Sequence, residues 1–268
     1  MRAGRVALRR SGCRRRGDRP EPSLMAVSWL LCAVVTVSAN AAVGPPVDEP
    51  STAGQAPGWI FFPDDGVYPQ YIADPLRPQS ALILAGFPSS GIPDSGDARF
   101  LLRLGGRYSI ARRHPAGHTD RGFEIDFDGG FFGQFDMNNS LDNIGWDGLF
   151  GLHLSYKGDG PWAFSLGSRH DSGHVGDEYA EQTGRERIGY TREEGVLGAS
   201  WTPHVLFRAY VEAGYGYHQI EAEDPLRLQA GVEYFGRDRL WRGDFPWYAA
   251  LDMTAYREDD VRLRTTAQ

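Results

Sequence analysis

From Phe100 to about Thr254 apolar and polar residues alternate with a period of two, in segments long enough to decide the architecture. Successive side chains of an extended strand point to opposite faces, so this pattern predicts strands with one apolar and one polar face. One parity reads Phe100, Leu102, Leu104, Gly106, Tyr108, Ile110, and the other Arg99, Leu101, Arg103, Gly105, Arg107, Ser109. Phe123, Ile125, Phe127, Phe131 and Phe135 alternate with Glu124, Asp126, Asp128 and Gln134. Trp146, Phe150, Leu152, Leu154 and Tyr156 alternate with Asp147, His153 and Lys157. Three more segments follow the same rule, centred on Val211, Leu228 and Leu251.

A soluble sandwich alternates too. Three features favour an all-β, antiparallel transmembrane barrel of the outer membrane instead. The segments approach the roughly 9–11 residues needed to cross a bilayer at a tilt. Aromatic residues sit at expected strand ends, among them Tyr108, Trp146, Tyr156, Trp162, Trp201, Tyr215, Tyr217 and Trp247, as interfacial girdles do. The polar parity mixes opposite charges, which suits a lumen filled by ion pairs. Arg103, Arg107, Glu124, Asp126, Arg208, Glu212, Arg227 and Glu233 are expected in that network, with Phe123, Ile125, Phe127, Leu152, Leu154, Val211 and Leu228 facing lipid.

The connections Lys157–Pro161 and Trp201–Val205 read as tight periplasmic turns, and 173–185 as a long outer loop. A first strand at Ser80–Phe87 and a last near Trp247–Tyr256 make about nine strands over 80–257, where a bacterial barrel needs an even number. The tail 258–268 reads as irregular, and the barrel as incomplete at its C-terminal side.

At the other end, Ala26–Ser38 is a short apolar run followed by Ala39-Asn40-Ala41, an A-x-A cleavage pattern. Eight arginines against Asp18 and Glu21 precede the cut, so residues 1–41 read as a signal peptide. A start at Met25 would leave no basic region, and Leu31 before Cys32 does not fit a lipidation site. Removing the leader's surplus of six positive charges takes the net charge from −7 to −13. So acidic a chain offers no broad basic face for nucleic acid. Both cysteines, Cys13 and Cys32, fall in the leader, which excludes thiol chemistry and disulfides from the exported chain. Residues 42–79 read as a largely irregular periplasmic segment: a flexible lead-in to Ala56, then a proline-broken aromatic patch from Trp59-Ile-Phe-Phe-Pro63 to Tyr71-Ile-Ala-Asp-Pro75. The expected partners are outer-membrane lipid and the barrel-assembly machinery.

Trp162, Phe164 and Leu166 set a lipid-facing parity that Ser168, His170 and Ser172 continue. The i, i+2 spacing places an imidazole and a hydroxyl side by side on one face, where general-base activation of serine is within reach. Glu186, on the following strand, could orient the ring. Ser168 and His174 are neighbouring alternatives, and Gly173 could lend an N–H to an oxyanion. This pattern resembles the lipid A deacylases and outer-membrane phospholipase A, which carry His-x-Ser on the membrane face of one strand and an acid or amide on the next. The resemblance implies acyl-ester hydrolysis with Ser172 as nucleophile, His170 as base and Glu186 as third member.

Across residues 58–257, Trp59–Pro63, Ala73-Asp-Pro75, Gly130-Phe-Phe-Gly-Gln-Phe-Asp136, His170–Glu178 and Leu226–Tyr234 together resemble the bacterial family called domain of unknown function 1207. That family implies no activity. A polar strand end at headgroup level, in a structural barrel or pore, is the alternative to catalysis. Asp177 and Glu178, with Asp171 nearby, could bind calcium, but a solvated acidic loop is the preferred reading; no other cofactor is expected. His153 and His218 fall on the lumen parity, as structural hydrogen-bonding groups. Gly105-Gly106 and Gly129-Gly130 read as bulges or tight wall contacts, and Asn138-Asn139-Ser140 as a sequon without meaning here.

Overall fold

The alternating segments become long antiparallel strands. A computed structural model describes residues 35–38, 55–87, 92, 94–184, 189–220, 225–236, 247–257 and 261–267, all within one compact unit, Cys32–Gln268. Its first elements are β1 (Val35–Ser38), β2 (Gly58–Phe61), β3 (Ala81–Gly86), β4 (Ala98–His114), β5 (Gly122–Asp136) and β6 (Asp142–Lys157). There follow β7 (Trp162–Val175), α1 (Asp177–Thr183), β8 (Tyr190–His204), β9 (Phe207–Ile220), β10 (Leu226–Phe235), β11 (Tyr248–Arg257) and β12 (Val261–Ala267). The nine strands β3 to β11 pair in sequence order and curl into a half-barrel, matching the number expected from the alternation. β1 and β12 extend the two edges, and β2 pairs with the far end of β4.

Within the sheet the two faces are inverted relative to a soluble protein. Charged side chains are buried on the inner, concave face, with Arg112, Glu124, Asp126, Glu194 and Glu233 each at 5 % exposure or less. Apolar ones stand on the outer face: Phe123, Ile125, Phe127, Leu152, Leu154, Leu166, Leu197, Val211 and Leu228 are all exposed. Buried charges must be paired, and these are. Arg112 Nε meets Glu124 Oε2 at 2.6 Å, Arg107 meets Asp126 at 3.0 Å, and Arg208 pairs with Glu233. Arg227 bridges Glu194 and Glu212. Arg103 lies over the Phe132 ring and donates to the Pro75 carbonyl at 2.9 Å. The expected interior network is therefore present on the expected face.

The wall's partner on the inner side is residues 62–80, an irregular strap laid over the concave face. Pro63, Pro69, Pro75 and Pro78 keep it from forming a ladder, so its backbone groups bond to the wall instead. Val67 N donates to Glu124 Oε1 at 2.9 Å and Ile72 N to Glu233 Oε1 at 2.7 Å. Gln70 O accepts from Arg208 at 2.7 Å. The small apolar core lies between strap and wall: Tyr68, Tyr71, Ala163 and Tyr210 in one cluster, Ile72, Ala73 and Ala250 in another. Tyr71 stacks on Tyr210, ring centroids 3.7 Å apart.

The strap, apart from Ser80, lies within the segment 42–79 expected to be largely irregular. It is irregular, as the prolines require, yet it is docked inside the sheet because charged wall residues satisfy its backbone. The first three residues of the aromatic patch, Trp59, Ile60 and Phe61, do form a strand together with Gly58. Two further expectations are revised. The tail from 258 is not irregular throughout, since Val261–Ala267 pairs with β11 as β12. The connection 173–185 holds a helix, α1, favoured by acids in its first turn and closed by Gly184 at φ 64°. β1 lies inside the apolar run read as leader and pairs with β3. Gly105 is a tight wall contact: a Cβ there would lie 2.2 Å from the Gly129 carbonyl oxygen.

Candidate functional site

β7 carries the candidate residues, and its partners fix where they point. Trp162 pairs with Trp201 of β8, Leu166 with Leu197, and eight residues from Trp162, His170 pairs with Glu193. At about 3.3 Å per residue that is about 26 Å along the strand, comparable to the roughly 25 Å apolar band of a membrane barrel. The outer face therefore turns polar where such a band would end.

His170 is held from both sides. Its ring stacks on Phe150 of β6, centroids 4.5 Å apart, and its Nδ1 lies 2.6 Å from Glu193 Oε1. A carboxylate only accepts, so Nδ1 is the donor in this contact and Nε2 is the ring nitrogen that faces away from Glu193. Ser172 lies on the same outer parity, opposite Gly148 and Thr191. Its hydroxyl donates to the Gly148 carbonyl at 3.4 Å, turned towards β6 and not to the imidazole. Glu186 lies outside the described residues.

The carboxylate beside His170 is Glu193, which the sequence reading passed over. Aligning Trp162 with Trp201 as girdle partners and stepping eight residues along each strand would have found it. Of the alternatives, Ser168 Oγ bonds Tyr217 Oη at 2.9 Å and His174 packs on Trp146, centroids 4.3 Å apart. Gly173 sits in the ladder between Asp147 and Tyr190.

His218 corrects the lumen assignment. Glu193 pairs with His218 but Glu194 with Gly216, so Tyr217 is the extra residue of a β-bulge. One inserted residue switches the parity of everything beyond it, and exposed His218 lies outward beside Glu193. His153 does face inward, with Nε2 3.2 Å from Asp128 Oδ2. Asp177 and Glu178 are exposed in the first turn of α1. Among the described residues no three His, Cys, Asp or Glu side chains are grouped to hold a metal.

No family model, curated protein or solved structure matches the chain.

Proposed function

We propose that the chain forms the wall of a bacterial outer-membrane β-barrel. One observation carries this reading: the sheet exposes its leucines and phenylalanines and buries its arginines and carboxylates. Large exposed apolar faces mark contact with something apolar, and strands of 14–17 residues from β4 to β9 are long enough to cross a bilayer. The basic, apolar leader 1–41 fits export, and the resemblance to domain of unknown function 1207 belongs with the same reading. Outer-membrane lipid and the barrel-assembly machinery would be its partners. Fractionation tests it: the exported chain should need detergent for extraction, and recovery in a soluble periplasmic fraction would overturn it.

The polar rim favours a second, finer reading, acyl-ester hydrolysis on membrane lipid. The observation behind it is the His170–Glu193 contact beside Ser172. Ser172 Oγ would attack the ester carbonyl while His170 Nε2 takes its proton, then hand that proton to the departing alcohol as the acyl-serine forms. Water, deprotonated by the same nitrogen, would release the fatty acid and regenerate the serine. Glu193 takes the orienting role first given to Glu186. Turnover of phospholipid and lipid A by purified protein, with and without calcium, should vanish in Ser172→Ala and His170→Asn. Equal turnover in all three proteins would end this reading. A pore fits less well, because the strap occupies the concave face; planar-bilayer recordings should show no steady conductance.

A further inference from the structure

The end of β4 that carries β2 turns outward a cation that the fold does not use. Period two along β4 puts Arg107 and Ser109 on the inner face and would keep Arg113 there too. It does not, because the β4–β5 register shifts between Ser109 and Ala111, leaving Ile110 as the extra residue of a bulge. Beyond the bulge the parity is reversed: Arg112 turns in to meet Glu124, and Arg113 turns out. Among the described residues Arg113 is the only exposed arginine or lysine of β4 to β10, and its guanidinium has no partner. Its neighbours are aromatic. The outer row through it runs Trp59, Arg113, Phe123, Tyr156, Phe164 across β2, β4, β5, β6 and β7. Two residues along β7 from Phe164, about 7 Å, lies the girdle row of Trp162 and Trp201.

β2 supplies a second observation. Trp59, Phe61 and Phe62 are 57, 68 and 75 % exposed, and the rings of Trp59 and Phe61 stack with centroids 6.5 Å apart. Phe62 holds φ at 53°, a left-handed conformation that strains a bulky residue. Its N–H is fastened to the Ile110 carbonyl at 3.0 Å, at the bulge itself. A strained backbone that leaves its phenyl ring uncovered gains nothing from packing within the chain, whereas an apolar medium would supply the missing contact. The rings continue the row of Phe123 and Phe164 that the membrane reading places against lipid, so the occupant they fit is lipid. An arginine among them can lay its methylenes along the rings and keep its guanidinium at the polar boundary. There phosphate oxygens accept its N–H groups two at a time.

We propose that Arg113 and the rings of β2 bind the phosphate of a membrane phospholipid, at the end of the strands opposite the His170 rim. This site rests on the membrane reading above. The full chain, folded in dodecyl maltoside, is titrated with phosphatidylglycerol and, in parallel, with diacylglycerol of the same acyl chains. Native mass spectrometry counts the adducts. One saturable phosphatidylglycerol is expected, bound at least fivefold more weakly by Arg113→Gln and within about twofold of the parent by Arg113→Lys, which keeps the charge. Arg121→Gln, in the neighbouring turn, should bind as the parent does, because Asp120 and Asp159 already hold that cation. Heat-modifiable migration on gels verifies that each variant is folded. Four results would overturn the proposal: no saturable phosphatidylglycerol on the folded parent, undiminished binding by folded Arg113→Gln, diacylglycerol bound as tightly, or an equal loss in Arg121→Gln. A parent recovered without detergent would overturn the membrane reading and this site with it. One that needs detergent yet ignores phosphatidylglycerol would overturn this site alone.

Discussion

On the outer face of β7 and β8, Trp162 meets Trp201 and Leu166 meets Leu197, but further along the same strands His170 meets Glu193 and Ser172 meets Thr191. On their inner face Ala163, Ser165, Arg169 and Asp171 meet Ser200, Gly198, Glu194 and Arg192. The outer face thus changes character along its length, while the inner face stays small or charged. What each face touches explains the difference. In the proposed membrane, the outer face crosses from acyl chains to headgroups and its residues follow the medium. Among the described residues the inner face meets the strap and its own neighbouring strands, so its charges are paired within the sheet.

The sharpest way to break this comparison lies at the outer rim. Under the ester-hydrolysis reading, Ser172→Ala should lower turnover by about 10⁴-fold or more while leaving the thermal unfolding midpoint unchanged. Loss of folding without any activity to lose would make Ser172 part of the wall alone. Next comes the inner face. Arg112→Met leaves Glu124 buried without its cation, which costs about 3–5 kcal/mol; urea unfolding of the solubilised protein measures it. A third test contrasts the two ends of the outer face. Leu166→Arg, towards the middle of the band, should cost about 2–4 kcal/mol and cut the assembled fraction, whereas Ser172→Arg at the rim should cost about 0–1 kcal/mol. Equal losses at both positions would mean that the outer face meets no membrane.

How far this was readable in advance depended on how local each determinant is. Strand parity is local, so Leu152 outside and Glu124 inside followed from period two alone. Glu193 was also within reach, through the Trp162–Trp201 register. His218 was not, because one extra residue at Tyr217 reverses the parity and nothing in Tyr215-Gly-Tyr-His218 announces the bulge. The strap's docking was equally hidden. Its prolines declare it irregular, but its position is set by Glu124 and Glu233, 57 and 161 residues from the amides they accept. The edge strand β12 was missed for a different reason: Val261, Leu263 and Thr265 do alternate with Arg262, Arg264 and Thr266, but so short and basic a run looks like a solvated tail until a neighbour pairs with it.

The mildest prediction concerns the contact between strap and inner face, at Asp74. Burial against the wall, with Glu212 and Asp252 adding to it, pushes the Asp74 carboxyl above the usual aspartate range, although Arg169 and the Leu76 amide pull the other way. A group whose folded pKa is raised favours the folded state below its unfolded value, near 3.9, and that advantage disappears as pH climbs through the folded value. At neutral pH the ionised carboxylate therefore weakens strap docking. Asp74→Asn removes the titration and can still accept the Leu76 N–H that Asp74 Oδ1 takes at 2.9 Å. The variant should unfold at higher urea than the parent at pH 7, and the two should converge at about pH 3. Unfolding curves at both pH values check this. A variant less stable than the parent at pH 7 would show that Asp74 is valued there as an anion, held by Arg169 more strongly than burial opposes it.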